Sequence, residues 1–151
     1  MSLEARIDTD LKSALLSRDA ATVETLRGLK SVILYAKVAA GSRDTAMSDE
    51  QVIGLLAKES KKRQESIDLY TQGGAPERAA KEAQEKAIID AFLPAQLSEE
   101  DIKTHIETAL TELGVSDMSG MGKVIAEVKV KTAGAADGAV IAKLVKERLS
   151  S

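Results

Sequence analysis

Cysteine is absent from this 151-residue chain, and so is tryptophan. Without a thiol there is no disulfide, no thiolate nucleophile and no cysteine-ligated metal. Phenylalanine occurs once, at Phe92, and aromatic residues make up only 2% of the sequence, so the core must be assembled from Leu, Ile, Val and Ala. Only two prolines interrupt the chain. An Ala-, Glu- and Lys-rich sequence with so few breakers favours helices by propensity. Each aliphatic helix buries modest area, so moderate stability is expected. Long apolar runs are missing too. The most apolar stretch, Val32 to Ala40, is broken by Lys37 and falls far short of the roughly 20 residues that span a bilayer. The first residues are amphipathic and acid-containing, without the apolar core of a signal peptide. A cytoplasmic location without membrane association is the expectation by elimination.

Charge is present in ordinary amount but unevenly placed. Charged residues are 30% of the chain and the net charge is −3, which gives polyanions no global attraction. Ala95 to Asp117 holds one Lys against six Asp and Glu, whereas Met118 to Ser151 holds six Lys and Arg against three acids. A local basic patch can bind a polyanion that the whole chain repels. The stretch Met118 to Gly138, MSGMGKVIAEVKVKTAGAADG, is the centre of this basic segment.

Apolar residues recur at helical spacing along the whole chain. Leu3, Ile7, Leu11, Ala14 and Leu15 mark a first helix, with Ser2 as its cap. Val23, Leu26, Leu29, Ile33 and Leu34 mark a second, capped by Asp19 or Thr22. Ser48 and Gln51 have the spacing of a capping box for a third. Its middle, Lys58 to Ser66, has no apolar residue and is not expected to be deeply buried. Gly73-Gly74 ends it, and Pro76 suits the first turn of a fourth helix. Ala79, Ala80, Ala83, Ala87, Ile88, Ala91 and Phe92 are read as that helix's flat inner face. Leu93-Pro94 is the strongest boundary, since proline turns its predecessor away from helical angles. Beyond it Ile102, Ile106, Ala109, Leu110 and Leu113 form a clean stripe stopped by Gly114. Met121, Val124, Ile125 and Val128 give a sixth helix, ended by Gly134. Asp137 caps a seventh that buries Val140, Ile141, Leu144, Val145 and Leu149. Val128 to Lys131 alternates, but over too few residues to make a strand.

No constellation for chemistry emerges. His105 is the single histidine, at the margin of a helical stripe, and reads as a surface residue. No Gly-x-Ser-x-Gly elbow is present. Gly120-Met121-Gly122-Lys123 is too short for a phosphate-binding P-loop and follows no strand. It reads either as a flexible turn or as a helix N-terminus whose amides meet a phosphate. Lys123 would add a full charge there, against the helix dipole. Lys143 and Lys146, three apart, share a helix face. With no aromatic residues nearby for stacking, the backbone of a folded RNA suits this segment better than single-stranded bases. The Lys58 to Arg63 run reads as an extension of the same basic surface or, in the preferred reading, as charge that keeps a long helix soluble.

Four segments then carry a resemblance. They are Leu26-Arg27-Gly28-Leu29-Lys30, Lys61 to Ile67, Phe92-Leu93-Pro94-Ala95-Gln96-Leu97-Ser98, and Asp117 to Lys146. The last includes Met121-Gly122-Lys123-Val124, Ala136-Asp137-Gly138 and Leu144-Val145-Lys146. In this order and spacing the chain resembles the GatB/YqeY-domain family over nearly its whole length. The resemblance implies an all-helical protein of two parts, related to the tail of the aspartyl/glutamyl-tRNA amidotransferase B subunit. In that enzyme the tail contacts tRNA and the chemistry lies in other domains. It also implies carbon–nitrogen ligase activity with glutamine as amido donor. Two positions depart from the family. Ala135 stands where Arg or Lys is usual, and Ala126 where Gly is common.

The expected fold is all-α: a helical hairpin or bundle of about four helices over 1–93, then a three-helix domain over 94–151. No catalytic residue, metal ligand or cofactor is assigned. The expected function is a tRNA-interaction module related to tRNA-dependent amidation and not catalytic alone. Lys123, Lys129, Lys131, Lys143 and Lys146 would contact phosphates, and Gly120, Gly122 and Gly138 would allow close backbone approach. A tRNA-amidation or synthetase protein is the expected protein partner. The alternative is a helical protein–protein adaptor without nucleic-acid binding, using the Ala79 to Phe92 face. An enzyme in its own right is a third class, which glutamine- or ATP-dependent turnover would reveal.

Overall fold

In the computed structural model, which describes residues 1–151, the Ser2 hydroxyl accepts the Ala5 N–H at 3.1 Å and so opens α1, Leu3–Ser17. Arg18 closes it in a left-handed conformation, φ 58°. Asp19 caps α2, Ala20–Ala39, by accepting from the Thr22 N–H. Ser48 and Gln51 form the reciprocal box at the start of α3, Asp49–Gln72. Pro76 takes the first position of α4, Pro76–Asp90, where its missing N–H leaves no bond unmade. Then come α5, Glu99–Leu113, a single 3-10 turn at Met118–Gly120, α6, Met121–Thr132, and α7, Gly138–Ser150. The chain is all-α, and its helices fall into two compact units, Met1–Leu93 and Pro94–Ser151.

In the first unit α1 packs on α2 and α3 on α4, and α2 also meets α3 and α4. Ile7, Leu26, Leu29, Val52, Leu56 and Ile89 centre the core. Each such aliphatic side chain contributes about 2 kcal/mol by leaving water. Phe92 closes one edge, and the Arg6 guanidinium covers its ring at 4.7 Å from the centroid. Glu4 is a polar tie within this unit. One carboxylate oxygen pairs with the Lys37 ammonium of α2, and the other accepts the Met47 N–H at 2.9 Å. It therefore joins α1, α2 and the loop leading to α3.

The α3–α4 pairing differs from the sequence expectation in two ways. Ser60, in the middle of the polar run of α3, is buried, and Arg63 beside it is half-buried. The inner face of α4 is correspondingly rotated. Ala80, Ala83, Ala87 and Ala91 are exposed, while Ala79, Glu85, Ile89 and Phe92 face inward with Glu82 half-buried. The cause is polar pairing between the two helices, one hydrogen bond and two ion pairs. The Ser60 hydroxyl donates to Asp90. The Arg63 guanidinium lies 3.3 Å from Glu85 and 3.5 Å from Glu82. Groups half-removed from water need such partners, and alanines cannot supply them. The proposed adaptor face on α4 is thus split, with Ala79 and Phe92 in the core and only alanines outside. Leu34 and Leu113, read as core, are also exposed.

In the second unit α6 packs against both α5 and α7. Ile102, Ile106, Ala109, Val124, Val128 and Ile141 are the heart of its core. Left-handed Gly114 ends α5 as expected. Left-handed Ala133, not Gly134, takes the cap of α6, and Gly134 follows at φ 87°.

Candidate nucleic-acid interface

The α6–α7 hairpin is held at its turn. The Leu97 N–H donates to the Ala135 carbonyl at 2.8 Å, and the Gln96 side-chain amide donates to the Gly134 carbonyl at 3.3 Å. Asp137 then starts α7 by accepting the Ala139 N–H at 2.9 Å. At the other end of α6 the Asp117 carboxylate takes both the hydroxyl and the N–H of Ser119. Those two hydrogen bonds hold its pKa below the usual carboxylate value.

The five candidate lysines do not form one surface. On α6, Lys129 and Lys131 lie roughly 160° apart around the axis. Lys131 turns to α5, where its Nζ is 2.6 Å from Glu112, and it lies 3.6 Å from Glu127 on its own helix. The hydrogen bond to Glu112, with the charges of both acids, outweighs desolvation and raises its pKa above 10.5. A cation held by two carboxylates offers little field to a phosphate. Lys129 turns the other way, to α7, and its Cε would lie 2.9 Å from a Cβ at Gly138. Gly138 therefore makes room for the lysine stem. Lys146 lies roughly 12 Å further along α7, on the flank that borders α6. Lys143 is next to it on the solvent side. The opposite flank of α7 faces α5, where Leu144, Glu147 and Arg148 line a groove of about 290 Å³. There Arg148 is engaged by the Glu107 carboxylate through two nitrogens.

Lys129 and Lys146 thus border the α6–α7 seam, with Lys143 beside Lys146 on the solvent side of α7; all three are exposed and none is in an ion pair of the kind that holds Lys131. Ala139 and Ala142 on α7 keep side chains short along this flank. Lys123 is exposed in the first turn of α6, roughly 120° round from Lys129, and stands apart from the seam. Gly122 has nothing within 4 Å of where its Cβ would be. Gly120 has a packing role: its Cβ would meet Val115 Cγ1 at 2.4 Å. The Glu127–Lys131 pair was readable as an i,i+4 spacing. Glu112 and Glu107, on another helix, carried no such signal.

His105 is half-buried at the edge of the α5 stripe. No group of three or more His, Asp or Glu side chains converges as metal ligands would. What the seam can do chemically is hold anions by charge.

The sequence profile of the Yqey-like protein family matches residues 4–149, nearly the full chain. The chain belongs to the Yqey-like family. Among curated proteins, this Yqey-like chain is similar to altered inheritance of mitochondria protein 41, mitochondrial, of Vanderwaltozyma polyspora. Identity is 30% over 106 residues, covering 69% of this chain and 56% of that one. The protein of the same name from Eremothecium gossypii is 29% identical over 111 residues, covering 72% and 60%. The Yqey-like chain therefore spans less than two thirds of the length of these relatives. No helix in it is long and apolar enough to cross a membrane.

Proposed function

We propose that the chain is a tRNA-binding module that acts alongside tRNA-dependent amidation, a carbon–nitrogen ligation with glutamine as amido donor, without carrying that chemistry itself. The observation that supports this reading is the unanswered charge of Lys129, Lys143 and Lys146, all exposed on the α6–α7 hairpin. Three cations on a hairpin suit the phosphates of a folded RNA, recognised by shape and backbone. Lys123 adds to the field from the first turn of α6. Lys131 is left out, because Glu112 and Glu127 hold it. The partner protein in this reading is a tRNA-amidation or synthetase component.

Titration of the full chain with total tRNA at two salt concentrations tests the proposal. Three phosphate contacts predict a slope of about −2.7 in log K against log salt, or roughly 40-fold weaker binding at 200 mM than at 50 mM. The triple variant K129E/K143E/K146E should lose binding while keeping helicity, and K131E should not. Binding that ignores the triple change sinks the reading. A cytoplasmic location goes with it. The two relatives are mitochondrial by name, and fractionation of the tagged chain decides between the compartments.

A further inference from the structure

The Leu26 to Lys30 segment has no part in the lysine seam, yet it begins the most unusual surface of the first unit. The inner stripe of α2 is Leu26, Leu29, Ile33 and Lys37, all buried. Its outer stripe, at the same spacing of three and four, is Arg27, Gly28, Ser31, Leu34, Tyr35 and Val38. Three large apolar residues there face water: Leu34 is 46% exposed, Val38 55% and Tyr35 77%. Their neighbour Gly28 has nothing within 4 Å of where a Cβ would lie and no left-handed φ. Neither its backbone nor the chain's own packing calls for glycine, which weakens a helix relative to alanine. Bare backbone beside an apolar ridge lets a second helix approach closely.

Two depressions adjoin the ridge and share Arg43. One, about 350 Å³, is bordered by Leu34, Ile33, Lys30 and Arg43. The other, about 420 Å³, is bordered by Val38, Ser42 and Arg43. Charge around the face is mostly answered: Lys30 by Asp8, Lys37 by Glu4, Glu24 by Lys81. Arg27 at one end and Arg43 at the other enter no ion pair, and Asp44 beside Arg43 is the one opposing acid. The remaining charge is positive at both ends of an apolar strip.

We infer that the outer face of α2 docks one amphipathic helix of a partner protein, apolar along its inner stripe and acidic at its margins. Leu34, Tyr35 and Val38 supply the apolar contact, Gly28 and Ser31 the close crossing, and Arg27 and Arg43 the charge match. This surface lies in the first unit and does not depend on the tRNA reading.

The test uses the ¹⁵N-labelled full chain and two synthetic 18-residue helices with the same Leu/Ala stripe, one edged with Glu and the other with Lys. The Glu helix is expected to give saturable shifts at the amides of Ser31, Leu34, Tyr35, Val38 and Arg43. R27E/R43E should weaken it at least tenfold. Gly28→Leu should do the same while the thermal midpoint stays at or above that of the parent. Total tRNA should leave these amides unmoved. Four results overturn the inference: no binding of the Glu helix, equal binding of the Lys helix, shifts centred elsewhere, or full affinity in Gly28→Leu. Movement of the same amides with protein concentration alone would assign the face to a second copy, which also overturns it.

Discussion

Glu4 shows how much one exposed-looking residue near the start of a chain can hold. Burial pushes its carboxyl pKa up, but the hydrogen bond from Lys37, the Met47 N–H and the Lys37 charge together outweigh burial and leave it below 4.5. A carboxyl whose pKa is lower folded than unfolded gives stability that is complete above the unfolded value. That stability is lost as pH falls through the folded one. Stability measured by urea denaturation should therefore hold from pH 7 to about 5 and decline below 4.5. Glu4→Gln should lose about 2 kcal/mol at pH 7, the scale of a charged hydrogen bond, and part of the acid decline with it. A Gln variant with the parent's stability and acid profile would contradict this. Nothing in the periodicity of α1 announced the tie, because its partners Lys37 and Met47 lie more than thirty positions away.

At the scale of helices, what could be read from sequence depended on whether the partner was water, apolar or charged. Caps were legible: Ser2, Asp19, Ser48 and Asp137 all accept the amides that their positions imply. The apolar stripe of α5 was legible up to Leu110 because its partners are apolar too, whereas Leu113 at its end is exposed. The inner face of α4 was not, since a Glu facing Arg63 and a Glu facing solvent look the same in one dimension. The lysines of α6 were legible as charge but not as a surface, because Glu112 of α5 draws Lys131 away from Lys129. Gly120 illustrates a local contact that can be tested. Its φ of −93° suits any residue, so the reason for glycine is Val115 alone. Gly120→Ala should destabilise by about 1–3 kcal/mol through overpacking. Val115→Ala in the same chain should recover part of that loss. Additive losses in the double variant would point to another cause.

For the molecule as a whole, two aliphatic cores stand in place of one aromatic-rich core, as the scarcity of Phe, Tyr and Trp requires. Val128, fully buried in the second core, reports on that core. Val128→Ala should cost about 2 kcal/mol, and amide exchange should quicken across 94–151 while 1–93 keeps its protection. Faster exchange throughout both would show a single cooperative unit instead. The family was legible from four short segments in order, and the match over residues 4–149 agrees. The particular surface that meets a ligand was not, because facing positions are set by contacts between helices distant in sequence.

The Gln96–Leu97 anchor on the α6–α7 turn has a consequence for synthesis. Its donors and acceptors are 38 positions apart. At 5–20 residues per second a ribosome needs roughly 2–8 s to travel that distance. In the later part of this interval, once Leu113 has been added, the nascent α5 carries its oily stripe with no lid, so a chaperone would find its opportunity there.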